Sequence, residues 1–105
     1  MANLRKLAKN RECQVQIWGI CNHNPETTVL AHLNGGGAGM KHHDFLGCWA
    51  CSDCHRWLDG EYSRKGYYNE EVGHYSAATR KMRDYEHYRA IIRTQEILIK
   101  EGVIK

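Results

Sequence analysis

The chain has 105 residues, enough for one compact domain and too few to divide into several. One Phe accompanies three Trp and six Tyr, so the core is thin for the length and a bound metal would brace it. The net charge is +3, with residues 1–12 and 76–105 each at +3 around a centre at −3; no apolar run reaches the roughly 18 residues of a membrane span, and the basic start lacks a hydrophobic stretch behind it, which excludes membrane and secreted classes and leads us to expect a soluble cytoplasmic protein.

Residues 1–11 read as a short basic helix or arm with Leu4, Leu7 and Ala8 on one side. From Glu12 the period becomes two, Val15 and Ile17 alternating with Gln14 and Gln16, which predicts a strand or tight hairpin ending at Gly19 and Cys21. Asn24 and Pro25 form a turn, and residues 27–33 resume a β-prone run with His32 near its end. Residues 34–39 hold four glycines, a hairpin connection with no Gly-Lys-Ser/Thr behind it to make a P-loop. A second strand is expected over residues 45–50, then a helix capped by Ser52 and ended by Gly60. Residues 61–74 have no period and read as a loop. The last helix spans about residues 76–101, with Met82, Tyr85, Tyr88, Ile92 and Ile99 as a stripe widened by Ile91 and Leu98, and Gly102 as its glycine cap. That Tyr- and Ile-rich surface is available to the core or to a homodimer.

Five cysteines in a reducing compartment are metal ligands, reactive thiols or core residues before they are disulfides. Cys51 and Cys54 form a CxxC spanning a turn and a helix start, the spacing with which two thiolates grip a tetrahedral zinc. Cys13 and Cys21 are spaced more loosely, but a hairpin brings them together, and the four then close one structural Zn²⁺ site. A redox CxxC needs a βαβ context that is missing, and buried unliganded cysteines are the other alternative. Cys48 also forms a CxxC with Cys51; it is assigned to the strand as a core residue because Cys51 and Cys54 flank the helix start.

His32 ends one strand, while His55 and Asp59 are four apart on the following helix and share a face. Phosphodiester hydrolysis needs a general base for water and a divalent cation on the phosphate, roles that suit His32 on the one hand and His55 with Asp59 on the other. The bland alternatives are a hydrogen-bonded structural histidine and a surface pair. His23, His42, His43, His74 and His87 lack comparable spacing and read as surface or structural.

At these residues a family resemblance enters. Ala31-His32-Leu33, Asp44, and the run from Ala50 to Asp59 resemble the HNH, or His-Me finger, endonuclease motif. Arg11-Glu12-Cys13, Gly19-Ile20-Cys21-Asn22, Asn24-Pro25-Glu26-Thr27, Val29-Leu30-Ala31-His32 and the ending Lys100 to Lys105 look more closely like the YbcO family of prophage proteins, nucleases by name. The resemblance implies an α+β chain, a small zinc-stapled ββα-metal fold with a long C-terminal helix, cutting DNA with one catalytic cation. By position it makes His32 the general base and gives Asp44 the place of the middle Asn, which orients that base. His55 and Asp59 match the His-x-x-x-His metal pair with Asp in the last place, a donor suited to Mg²⁺ or Mn²⁺. The family position before the base, often a metal ligand, is Ala31 here.

The expectation is therefore one HNH-type nuclease domain over residues 1–105, with a basic arm at 1–11, the zinc-stapled core at 12–60 and the last helix at 76–101. It is a phage or prophage DNA endonuclease of the bacterial host cytoplasm, with no membrane partner and no organic cofactor. Arg56, Arg64, Lys65, Arg89 and Arg93, with Arg80 and Arg83, are candidate phosphate contacts, although a solvated helix face explains any one of them equally well. The alternative is a non-catalytic zinc-stapled nucleic-acid-binding or adaptor module, for which the cysteines and basic ends suffice.

Overall fold

Asn3 starts the first helix, α1 (Leu4–Leu7), its side-chain oxygen accepting the Lys6 N–H at 3.2 Å, as a short polar residue does at an N-cap. The computed structural model describes residues 3–33, 43–60, 67–69, 74–76 and 80–103. After α1 come a 3₁₀ turn (Pro25–Thr27), β1 (Val29–His32), a second 3₁₀ turn (Asp44–Leu46), β2 (Gly47–Ala50), α2 (Ser52–Leu58), β3 (Tyr67–Asn69), β4 (His74–Ser76) and α3 (Arg80–Lys100). β1 and β2 pair antiparallel with Leu30 opposite Trp49 and Ala31 opposite Cys48.

Alternation along these strands gives the sheet two buried faces. Ala31, Cys48 and Ala50 join Cys13, Val15, Ile17, Cys51, Cys54, Trp57, Leu58, Ala90 and Ile91 in the main core. Trp49 turns the other way, to Ala8 and Leu98, with Leu4, Leu7 and Leu30 packed alongside. Beyond β1, the outer edge of β2 is closed by other parts of the chain: the Trp49 carbonyl accepts the Gln14 N–H at 2.7 Å, and the Trp49 N–H donates to Thr94 Oγ1 at 3.1 Å.

Five expectations need correction. Residues 12–21 form no strand; Gln16 takes a left-handed φ of 54° and donates its N–H to Cys13 Sγ at 3.5 Å, and the N–H groups of Ile20 and Cys21 then turn back onto the Ile17 carbonyl. Val15 and Ile17 are buried all the same, so their alternation recorded burial and not a sheet. Cys51, not Ser52, caps α2, because its sulfur accepts the Cys54 N–H at 3.3 Å. Within the expected loop of residues 61–74, β3 pairs antiparallel with β4, and α3 starts at Arg80 because Ser76 belongs to β4. On α3 the stripe is off-centre: Ile91 and Leu98 are buried as expected, with Glu86, His87, Ala90 and Thr94 beside them, but Tyr85, Tyr88, Ile92 and Ile99 are each more than half exposed. Ala90 and Thr94 are small enough to let the helix lie close on β2, where the larger residues would not fit. Both helix ends read correctly, since Gly60 and Gly102 take positive φ of 97° and 78°. Among the described residues no helix is long and apolar enough to cross a membrane.

Candidate metal and catalytic site

The two N–H···S turns, Cys13 to Gln16 and Cys51 to Cys54, bring four sulfurs to one point. The ligand atoms of Cys13, Cys21, Cys51 and Cys54 all lie within 4.8 Å of one another, and none is in a disulfide. Cys13, Cys51 and Cys54 are buried and Cys21 is half-buried. Four sulfurs this close cannot all ionise unaided. Burial, together with the Cys13 and Cys51 sulfurs, pushes the Cys21 thiol up to about 12. The Cys54 thiol is driven up through its bond to Cys13, and Cys51, receiving hydrogen bonds from Cys13 and Cys54, is driven down. A cation at the centre removes this conflict, and four thiolates suit a closed structural zinc. Cys48 stands outside the group, fully buried on β2 with its thiol pushed up by that burial.

The cluster fixes the first turn of α2. Asn22 donates to Ser52 Oγ and Asp53 Oδ2, both at 3.0 Å, and the Ser52 N–H donates to Thr27 Oγ1 at 3.2 Å. His55 follows Cys54 directly, and its Nε2 lies 3.8 Å from Asp59 Oδ2 one turn on. These side chains are 43% and 52% exposed, in contrast to the cysteines beside them.

His32, the last residue of β1, puts Nε2 2.5 Å from Asp44 Oδ1 at the start of the second 3₁₀ turn. His43 caps that turn by accepting the Phe45 N–H at 3.1 Å. Arg5 donates to the same Asp44 oxygen at 3.4 Å, a contact that the sequence did not reveal. His32 first and Arg5 second hold the Asp44 carboxyl below its ordinary value.

His87, read from its spacing as structural or surface, is 1% exposed, and its Nε2 lies 3.0 Å from the carbonyl of Ala31, the residue before His32. A carbonyl only accepts, so Nε2 carries the proton and Nδ1 is left as a buried acceptor with no partner among the described residues. Burial lowers the His87 pKa, and Asp84, Asp59 and His55 lie within its electrostatic reach. A histidine on α3 thus touches the strand of His32 and faces the charges at the end of α2. No spacing rule links position 87 to position 31, so only the fold exposes this.

The other expected residues are placed unevenly. Arg93 donates through Nε, at 2.9 Å, and through Nη2 to the Gln14 carbonyl, so its guanidinium holds the cysteine loop against α3. Arg89 is exposed over the Tyr85 ring at 5.6 Å, and Arg56 is exposed on α2. Arg64 and Lys65 lie outside the described residues. Among the described residues the four cysteines are the one group of three or more possible metal ligands this close together, so His55 and Asp59 stand as a pair.

The chain was then compared with known proteins. A family profile described as "Putative nuclease YbcO" matches residues 2–103. "Putative nuclease YbcO" of Escherichia coli (strain K12) is 43% identical over 110 residues, covering 100% of this chain and 99% of that protein, and a protein of the same description from Enterobacteria phage 82 matches equally. A solved structure, "Structure of a putative bacteriophage protein from Escherichia coli str. K-12 substr. MG1655", has a TM-score of 0.67 and 37% identity, covering 95% of this chain and 100% of its own. With the match running from end to end, the chain belongs to the YbcO family.

Proposed function

We propose that this protein is a metal-dependent DNA endonuclease of the HNH, or His-Me finger, type, with His32 as general base. The observation that carries the reading is the 2.5 Å bond between His32 Nε2 and Asp44 Oδ1. With the Nε2 proton donated to the carboxylate, Nδ1 keeps its lone pair and can take a proton from water. Asp44 stabilises the imidazolium that results, and Arg5 helps to keep the carboxylate ionised. His55 and Asp59 would hold a Mg²⁺ or Mn²⁺ ion, which tolerates few protein ligands because it keeps several waters. When bound, that ion neutralises the phosphate and stabilises the leaving oxygen. The four cysteines, holding Zn²⁺, act as scaffold: they fix the helix start from which His55 and Asp59 project. The nuclease names of the relatives agree with this assignment.

Plasmid DNA incubated with the protein and Mg²⁺ or Mn²⁺ is expected to be nicked. In His32→Ala the rate should fall by about 10²–10⁴, the usual contribution of a general base, and in Asp44→Asn by less. Nicking undiminished in His32→Ala would remove His32 from the mechanism. Cation-independent DNA binding with no cutting would favour the adaptor alternative.

A further inference from the structure

Between the end of α2 and the first turn of α3 lies a pocket of about 230 Å³ lined by Leu58, Asp59, Arg80, Arg83 and Asp84. Arg83 is fitted into place there. Its Nη1 donates to the Leu58 carbonyl at 3.4 Å, and a Cβ on Gly60 would stand 2.7 Å from the same nitrogen. Gly60 also has a φ of 97°, so both its conformation and the arginine against it call for glycine. The Arg83 Nε is buried and has no hydrogen-bond partner among the described residues, an unused donor beside a cavity. Arg80 pairs loosely with Asp84 at 3.8 Å.

Two guanidinium groups and two carboxylates leave the pocket formally neutral. A divalent cation on Asp59 changes that balance to +2, and the N-terminal end of the α3 dipole adds to it. We propose that the pocket is a phosphate subsite for the DNA strand, with Arg83 as its main donor, and that it takes its phosphate only after a cation has bound at Asp59. Arginine suits the role, since its planar fork of donors matches phosphate oxygens. The proposal rests on the reading of Asp59 as a cation ligand and gives the cation a second task, charging the pocket that holds the substrate.

The test is binding of a short DNA duplex to the zinc-loaded protein, in Ca²⁺ to limit cleavage and in chelator-free buffer without added divalent cation, across a range of salt. In Ca²⁺, Arg83→Gln should lower the slope of log affinity against log salt by about one phosphate contact, roughly 0.9, and without added divalent cation it should change little. Gly60→Ala, whose Cβ displaces the guanidinium, should reproduce the loss, whereas Arg83→Lys should keep the slope with weaker affinity. Circular dichroism and zinc content establish that each variant is folded; if Arg83→Gln is not, Gly60→Ala carries the comparison. Wild-type binding with an unchanged slope in the folded variants overturns the subsite and leaves the nuclease reading standing. An equal loss with and without Ca²⁺ overturns the cation dependence. No wild-type binding in either buffer defeats the nuclease reading, and the subsite with it.

Discussion

At its start α2 has Cys51 as cap and Cys54 in its first turn, both without exposed surface inside a group of four sulfurs; the next residue, His55, and Asp59 one turn beyond it have side chains 43% and 52% exposed. The closed end offers four sulfurs, three of them buried, a donor set that suits a structural metal site. On the proposed reading the open end supplies two donors, His55 and Asp59, and leaves the other positions of the cation to water and substrate. The anchored helix start would then aim those two side chains, because side chains that make few contacts can only be aimed by the backbone beneath them. The same contrast separates Asp44, held by His32 and Arg5, from Asp59, which faces a pocket.

Cys54→Ser tests this contrast most severely. Structural zinc sites hold their peptides with apparent binding energies of about 10–16 kcal/mol, so the variant or the chelated protein should lose its fold in far-ultraviolet circular dichroism, together with its zinc. A chain that stays folded without metal would make the sulfur group an ordinary core. Next in size, Asp59→Ala should lose most nicking activity while keeping one zinc per chain and a stability within about 0.5 kcal/mol of wild type, as expected for an exposed residue. Unfolding of this variant would show that the open end is structural too.

His87→Phe should cost about 1 kcal/mol in denaturant unfolding, for the lost bond to Ala31. It also has a pH signature. Because burial lowers the folded pKa of His87 below its ordinary 6.5, the unfolded chain binds the proton first, so this residue costs stability as pH falls below about 6.5 and has no effect above it. His87→Phe should flatten that part of the wild-type stability profile, and His87→Gln should do so while retaining a donor for the carbonyl. The smallest effect is expected at the ion pair of Arg11 with Glu101, 2.5 Å apart near the protein surface. Arg11 holds the Glu101 carboxyl below its ordinary value of 4.5, so the pair stabilises above that pH and is lost as pH drops through the lowered value. Glu101→Gln should therefore lower thermal stability slightly at every pH above about 4.5 and match the wild type at the acid end of the profile.

Much of the site was legible because its signals are local. The CxxC at Cys51 and Cys54, the spacing from His55 to Asp59, and the glycine stops at Gly60 and Gly102 depend on neighbours along the chain. What escaped depends on contacts across it. Residues 12–21 have strand periodicity but fold around sulfur, because Cys13 offers the Gln16 N–H an acceptor closer than any strand. On α3 a period of 3.6 shows that a face exists, and hydrophobicity alone centred it wrongly, catching Ile91 and Leu98; closeness to β2 adds Ala90 and Thr94 to the inside and leaves Tyr85, Tyr88 and Ile92 outside. Charge pattern offered Arg93 only as a candidate phosphate contact and did not show that the Gln14 carbonyl, 79 positions away, accepts from its guanidinium. His87 was passed over for the same reason: its partner is 56 positions away.

The bonds from Trp49 to Gln14 and Thr94 also bear on how the protein behaves in company. A sheet of two strands presents backbone groups that another chain can pair with, and such edges seed aggregation. At the centre of β2, both groups are already used within the molecule, the N–H by the Thr94 hydroxyl and the carbonyl by the Gln14 amide. Thr94→Val keeps the shape and frees that N–H, so it should make the protein more prone to self-association at high concentration while leaving the cysteine group intact. The hydroxyl on α3 works as a guard against strand recruitment, independent of the chemistry of the site beside it.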